Sequence, residues 1–232
     1  MERQTDVNCK MRAILIDWLV EVHLKFKLMV ETLYLTVNLI DRFLEKEAIT
    51  RNKLQLVGVT AMFIASKYEE IYAPECRDFV YISDKAYTRE QILAMEGLIL
   101  SKLSFQLTTP NAYVFLKRFS KVAGIITTPR SKTELLAHYL VELTLQEYKL
   151  LQYLPSTIAA AAVYLSLKTM GQQPWVRPSP FCTATRPLRA KFECTPAPLR
   201  GQIIGTGFVC LTDPGAQAAR LLHGGGSLAV RS

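Results

Sequence analysis

Apolar residues recur every three or four positions along most of the chain up to Gly171, the spacing of one face of an α-helix. The clearest example is the run Leu33, Val37, Ile40 and Leu44. No stretch combines strict alternation of apolar and polar residues with hairpin turns, as strands of a half-exposed sheet would. The pattern therefore predicts an all-α protein.

Residues typical of helix ends divide this part of the chain into segments. The predicted helix starts are Asn8, Thr50 before Arg51, the capping boxes Thr88–Gln91 and Ser131–Glu134, the pair Thr109-Pro110, and Pro155. Pro74 interrupts the chain before a short apolar segment through Phe79 and Ile82. Gly124 and Gly171 can end helices, because glycine readily adopts the left-handed conformation found there.

Two segments rich in small residues, Gly58–Lys67 and Ala159–Lys168, align without gaps. Glycine and alanine let neighbouring helices approach from several sides, as the central helix of a bundle requires. This internal similarity (the echo) predicts two copies of one helical bundle, although alanine-rich helices also align by chance.

The charge of the chain is unevenly distributed. The 232 residues carry a formal net charge of +8, of which +3 lies in residues 1–171 and +5 in residues 172–232. The second segment also contains 7 of the 11 prolines and 7 of the 11 glycines. It is predicted to be an irregular tail, and because most of the charge lies there, a nucleic-acid partner is disfavoured.

Other compositions and motifs point away from several classes of protein. The five cysteines are odd in number and lack C-x-x-C spacing, which disfavours a disulfide framework or a zinc site and favours a reducing intracellular compartment. No apolar run reaches the ~18–20 residues of a membrane span, and no signal-peptide pattern opens the chain. The sequence contains neither H-E-x-x-H nor a phosphate-binding loop. We predict no catalytic residue, metal, cofactor, small-molecule ligand or membrane partner.

A series of blocks from Met11 onward is far more specific than any single motif. The blocks are Met11–Val22, Glu31–Leu44, Lys53–Val57, Ala65–Ile71, Phe79–Asp84, Met95-Glu96 and Leu154–Ser156. In order and spacing they resemble the cyclin family, over roughly residues 9–175. His23–Met29 and Leu35–Asn38 are most similar to the mitotic, B-type group, with the A-type next.

The resemblance implies two five-helix bundles in tandem, in agreement with the echo. Residues 1–8 would be a remnant of an N-terminal segment, 9–108 the N-terminal cyclin box, 109–171 a partial C-terminal cyclin fold and 172–232 the tail. It also implies a regulatory function: a cyclin binds a cyclin-dependent kinase as a heterodimer and positions the helix and activation segment of that kinase. Nuclear and cytoplasmic activity at the G2/M transition would follow.

The resemblance assigns a kinase-binding site. The matching residues are Lys67, Tyr68, Glu69, Glu96, Phe105 and Leu107. Lys67 lies near the end of the third helix, and Glu96 interrupts an otherwise apolar face of the fifth. A cation and a carboxylate presented together could satisfy unpaired backbone groups at the end of a partner helix. The alternative is that both are ordinary solvated charges.

A second site implied by the resemblance docks Arg-x-Leu peptides of substrates or inhibitors. It comprises Met11, Ile14, Leu15 and Trp18, which form one stripe of the first helix, together with Glu21, Leu54, Gln55 and Ile82. Glu21 could pair with the peptide arginine, and Gln55 could bond the peptide backbone. Plain core packing is the alternative. Arg12 and Asp41 are expected to form a buried structural pair under either interpretation.

The chain departs from the family pattern at both ends. It begins close to the first box, so most of the N-terminal helix and the regulatory arm are expected to be absent. The resemblance stops after Trp175, and the tail is interpreted as an alternative or misassigned exon or reading frame, with a genuine disordered basic tail as the competitor. Alternative functions are a truncated cyclin that binds kinase without activating it and a cyclin-fold nucleic-acid adaptor.

Overall fold

The computed structural model describes residues 4–125 and 131–172, and every regular element in these ranges is helical. The α-helices are α1 (Cys9–Phe26), α2 (Val30–Lys46), α3 (Arg51–Glu69), α4 (Cys76–Ile82), α5 (Arg89–Lys102), α6 (Ala112–Val122), α7 (Lys132–Leu143) and α8 (Pro155–Thr169), and a 3₁₀ helix spans Tyr148–Gln152. The prediction of an all-α protein is confirmed for this part of the chain. The predicted tail lies outside the described residues, apart from Gln172.

Three predicted capping residues occupy the expected positions. The side chain of Asn8 accepts a hydrogen bond from the Met11 amide at 2.9 Å. Thr88 and Gln91 form the reciprocal capping box at the start of α5. Ser131 Oγ accepts from the Glu134 amide at 3.1 Å. Because such caps are local contacts, the starts of these helices could be predicted from sequence.

The predicted start of α6 at Thr109-Pro110 is wrong. The helix begins at Ala112, and the side chain of Asn111 caps it by accepting from the Val114 amide at 3.0 Å. The Thr109 hydroxyl instead donates to Oδ1 of Asn38 in α2 at 3.0 Å. The Thr109 side chain, which the local pattern predicts to cap α6, therefore forms a hydrogen bond to α2 instead.

The cap of α3 comes from a residue far away in sequence. Thr50 makes no side-chain capping bond, and the Arg51 amide donates to Oδ2 of Asp6 at 2.8 Å. The guanidinium of Arg51 also donates to Oδ1 of Asp6, from Nε at 2.9 Å and from Nη2 at 2.8 Å. These bonds hold the pKa of Asp6 below its ordinary value. The segment before α1 is thereby fixed to the start of α3.

Helix α3 is the centre of the first bundle. It packs against α1, α2, α4 and α5, and nearly every residue from Leu54 to Ser66 is buried. Gly58, Ala61 and Ala65 lie in this stretch, so small side chains allow neighbours to surround the helix closely. With α3 itself, the four helices packed against it make a bundle of five helices.

The chain divides into two compact units, Met1–Val163 and Tyr164–Ser232. In the first, α6 packs on α7 and on α2, and Gly124 ends α6 with φ at +70°. In the second, the described residues are the end of α8 and the turn that follows. Gly171 has φ at +67°, and its amide donates to the Lys168 carbonyl at 3.2 Å. Both glycines occupy the helix-ending positions predicted for them.

Stability is expected to decrease in mild acid because of His23 in α1. Its imidazole is buried, and Nδ1 has no hydrogen-bond partner among the described residues. Burial lowers the pKa of His23 below its ordinary value of 6.5, and the charge of Glu70 only partly opposes this shift. At about pH 6.5 and below, His23 binds more protons in the unfolded chain than in the folded one. The free energy of unfolding therefore decreases as the pH falls toward the pKa of His23 in the folded protein.

Urea unfolding at several pH values between about 7 and about 5 tests this prediction. We expect the free energy of unfolding to fall with pH in the unaltered chain and to fall less steeply in His23→Gln. His138 shifts in the same direction by burial, so some pH dependence is expected to persist. An identical slope in the two proteins would contradict the prediction.

Candidate functional site

Lys67 and Glu96 form an ion pair between the end of α3 and the middle of α5. The Nζ atom of Lys67 also lies over the ring of Phe63, 4.2 Å from its centroid. The Lys67 side chain is 44% exposed and that of Glu96 is 13% exposed. The cation is thus held by a carboxylate and an aromatic face while part of it remains open to solvent.

The residues after Lys67 are fixed by contacts to other elements. The Tyr68 hydroxyl is hydrogen-bonded to the Thr108 hydroxyl. Burial, with smaller effects of the neighbouring carboxylates Glu31 and Glu70, raises the pKa of Glu69. Glu70 accepts from the amide of Met29 at 2.7 Å and thereby ties the end of α3 to the start of α2. The end of α3 is therefore bonded both to the start of α2 and to the segment after α5.

Phe105 projects from the turn after α5, and it is 71% exposed. Ser104 and Phe105 both adopt the left-handed backbone conformation, with φ at 52° and 56°. This conformation is unfavourable for residues other than glycine and persists only where the surroundings enforce it. The Phe105 amide donates to the Leu100 carbonyl at 3.0 Å. Leu107, by contrast, is half-buried against the core.

The eight residues predicted to dock peptides lie on α1, α3 and α4, and they differ in exposure. Met11, Trp18 and Ile82 are half-buried and pack against the core. Ile14 is 69% exposed, and Glu21 is also exposed, whereas Gln55 is half-buried. Leu15 on α1 and Leu54 on α3 are buried. The stripe therefore combines core residues, as the alternative interpretation requires, with an open apolar edge.

Arg12 and Asp41 form a bidentate ion pair between α1 and α2. Arg12 donates from Nε to Oδ1 of Asp41 at 2.5 Å and from Nη2 to Oδ2 at 2.7 Å. Its remaining nitrogen, Nη1, donates to the carbonyls of Leu145 at 3.0 Å and Gln146 at 3.2 Å. The guanidinium is fully buried. Its bonds to Asp41 join α1 to α2, and its bonds from Nη1 join α1 to the segment after α7. The structural role of the pair stays a prediction.

A cleft of about 840 Å³ lies beside this pair, between α2 and residues 144–158. It contains neither the Lys67–Glu96 pair nor the apolar edge of α1. Among the described residues, no group of three histidines, cysteines or acidic residues is placed to hold a metal ion. None of the helices in these ranges is long and apolar enough to cross a membrane.

Two features of the site were not predicted from sequence. Phe63 lies one helical turn before Lys67, and this spacing was the signal that could have indicated the cation–π contact. The hydrogen bonds from Arg12 to the carbonyls of Leu145 and Gln146 had no such signal, because every residue has a backbone carbonyl and residue type does not indicate which one will be an acceptor.

Comparison with known proteins identifies the chain. Residues 1–108 match the description "Cyclin, N-terminal domain", and residues 110–186 match "Cyclin, C-terminal domain". The chain belongs to the cyclin family. The second match ends 15 positions beyond the predicted tail boundary at residue 171, and that boundary remains a prediction.

The relatives of this cyclin include mitotic and B-type members, which confirms the expected resemblance. It is 57% identical over 164 residues to Cyclin-B2-1 of Oryza sativa subsp. japonica, covering 71% of this chain and 38% of the relative. It is 56% identical over 165 residues to G2/mitotic-specific cyclin-B of Arbacia punctulata, with coverage of 71% and 39%. The chain thus spans about two fifths of the length of these relatives.

Solved structures share the fold of this cyclin at low sequence identity. A viral cyclin from herpesvirus saimiri superposes with a TM-score of 0.66 at 22% identity, covering 75% of this chain and 76% of the viral one. A chain of the CAK complex from Chaetomium thermophilum, bound to ATP-gamma-S, gives 0.52 at 18% identity, with coverage of 69% and 51%. The expected cyclin fold is confirmed by these similarities.

Proposed function

We propose that this cyclin is a regulatory subunit that binds and activates a cyclin-dependent serine/threonine kinase in G2/M control. The observation that carries the proposal is the Lys67–Glu96 pair, which is partly open to solvent and lies on a surface formed by α3 and α5. Membership in a family with mitotic relatives supports the same function. By the same resemblance, we expect the protein in the nucleus and the cytoplasm.

The proposed kinase surface provides two kinds of contact. Lys67 can donate to backbone carbonyls at the end of a partner helix, where the last four have no partner inside the helix. Glu96 can accept from amides in the same way. Phe105 adds an exposed aromatic ring of the type that often dominates binding energy at interfaces. Tyr68, Glu69 and Leu107 would support these contacts. The kinase would supply the catalytic residues.

Activation is tested by purifying the full chain with a recombinant mitotic cyclin-dependent kinase and measuring histone phosphorylation with and without it. We expect stable association and a large rise in phosphorylation. Association without a rise would show a cyclin that binds kinase but does not activate it. No association, for a chain that is helical and monodisperse, would contradict the proposal.

We further propose that the open edge of α1 docks Arg-x-Leu peptides. The apolar rim formed by Ile14 and Trp18 would contact the peptide leucine, and Glu21, one turn beyond Trp18, would pair with its arginine. Gln55 on α3 would bond the peptide backbone. The mixed exposure of this surface supports the proposal, because a purely internal stripe would not leave Ile14 at 69% exposure.

Trp18→Ala is expected to weaken docking of a labelled Arg-Ala-Leu peptide by at least about tenfold, since buried aromatic anchors at interfaces are worth 2 kcal/mol or more. Fluorescence polarisation measures the affinity, and circular dichroism verifies that the variant is folded. Val114→Ala, an exposed apolar residue of α6, is the matched control and should bind like the unaltered chain. Undiminished binding by folded Trp18→Ala would contradict the docking proposal.

A further inference from the structure

The open side of α1 continues beyond Glu21 to a cation of the opposite charge. Four side chains follow one another along one side of this helix, at spacings of four, three and four residues: Ile14, Trp18, Glu21 and Lys25. Glu21 and Lys25 are both exposed. Among the residues that the structure describes, neither forms an ion pair, with the other or elsewhere. A carboxylate and an ammonium group are therefore both available to a ligand.

Tyr81 of α4 holds the ammonium group of Lys25 in place. The Nζ atom of Lys25 lies 5.9 Å from the centroid of the Tyr81 ring, within the range of a cation–π contact. The ring is 70% exposed, and Leu24, the sequence neighbour of Lys25, is 66% exposed. The rings of Phe26 and Phe79, 5.2 Å apart, fix the end of α1 against α4. We call Leu24, Lys25 and Tyr81 the α1–α4 patch.

The direction of a docked peptide would place its N-terminal part over the α1–α4 patch. In the docking proposed above, the leucine contacts Ile14 and Trp18 and the arginine pairs with Glu21, so the peptide runs opposite to α1. Glu21 and Lys25 are about 6 Å apart along the helix axis, since each helical residue adds about 1.5 Å. An extended peptide advances about 3.3 Å per residue. The residue two positions before the arginine therefore reaches Lys25.

We infer that the α1–α4 patch is a specificity subsite that selects an acidic residue two positions before the arginine of a docked peptide. The negative charge of Glu21 and the positive charge of Lys25 are complementary to a peptide of the form Glu-x-Arg-x-Leu. Lys27, which is also exposed, adds positive charge at the end of α1. A peptide lysine in place of the glutamate would meet Lys25 as a like charge. This inference rests on the docking function proposed above.

Three peptides that differ only at this position test the inference: Glu-Ala-Arg-Ala-Leu, Ala-Ala-Arg-Ala-Leu and Lys-Ala-Arg-Ala-Leu. Each is acetylated at its N-terminus and labelled at its C-terminus, and fluorescence polarisation with the full chain measures the Kd. We expect the glutamate peptide to bind about two- to fivefold more tightly than the alanine peptide, and the lysine peptide to bind more weakly by a similar factor. The preference should shrink between about 0.05 M and about 0.5 M salt, because salt screens exposed charges.

Variants of the chain assign the preference to Lys25. Lys25→Glu should reverse the order of the glutamate and lysine peptides, and Lys25→Met should bring their Kd values within about twofold of each other. Lys121→Glu is the matched control, because it changes the net charge equally at an exposed position of α6, outside the docking surface, and should keep the preference. Tyr81→Phe retains the ring and should also keep it, whereas Tyr81→Ala should weaken it.

The outcomes separate this inference from the docking proposal. If the alanine peptide binds and loses affinity in Trp18→Ala, but the glutamate and lysine peptides bind equally, docking stands and the inference is overturned. A preference that Lys25→Glu leaves unchanged also overturns it. Circular dichroism verifies folding, and if Lys25→Glu does not fold, Lys25→Met decides in its place. If none of the three peptides binds the folded, unaltered chain, the docking proposal fails and the inference fails with it.

Discussion

Asp41→Ala is expected to lower the free energy of unfolding by about 3–5 kcal/mol, because it leaves a fully buried guanidinium without its counter-charge. The remaining acceptors of Arg12 are the two carbonyls of Leu145 and Gln146, which are bound only to Nη1. Urea unfolding followed by circular dichroism measures the effect.

Two further variants identify the cause of this loss. Arg12→Met with Asp41→Leu removes both charges, and should recover much of the stability, since buried pairs can often be replaced by apolar residues of similar volume. Arg77→Ala breaks an ion pair whose two side chains are largely exposed, and should change stability little. Equal effects of Asp41→Ala and Arg77→Ala would contradict the assignment of a structural role to the Arg12–Asp41 pair.

Lys67→Ala and Glu96→Ala are each expected to weaken kinase binding by about 2–4 kcal/mol, or roughly 30- to 800-fold in Kd. Each truncation would remove one of the contacts proposed for the kinase and leave the other member of the pair without its partner. Since the two residues act as a unit, the double variant should lose less than the sum of the single losses. Biolayer interferometry against an immobilised cyclin-dependent kinase measures the Kd values.

Arg51→Ala is the matched control for this measurement. It also breaks a surface ion pair, with Asp6, but far from α5 in sequence and on the opposite end of α3. Its kinase affinity should equal that of the unaltered chain. Kinase binding by the Lys67→Ala, Glu96→Ala double variant that matches Arg51→Ala would show that the pair is merely an exposed surface contact.

The parts of the fold that could be predicted from sequence are those fixed by local contacts. The side chains of Asn8, Thr88 and Ser131 cap helices by accepting from the amide three residues further along the chain. Residue type and spacing are therefore enough to predict these helix starts. Thr109 failed as a cap because Asn38, 71 positions away, receives its hydroxyl. The 3₁₀ helix Tyr148–Gln152 was missed as well, since so short an element has too few residues to show a period.

The candidate site also depends on contacts between residues that are far apart in sequence. Periodicity places Lys67 and Glu96 on separate helices and says nothing of their meeting across 29 positions. Only the resemblance to the cyclin family predicts that they pair. The packing of Gly58 against Leu15 depends on how closely α1 and α3 approach. That distance is decided by the whole core, which a pattern along one segment does not describe.

The turn that presents Phe105 has a consequence for the kinetics of association. Two successive left-handed residues and the bond from the Phe105 amide to Leu100 fix the ring outward before any partner arrives. Little ordering of this turn is then needed during an encounter, so the rate constant for association should be set by diffusion and orientation. Under the kinase-binding role proposed for Phe105, substitutions there would accordingly shorten the lifetime of a complex far more than they slow its formation.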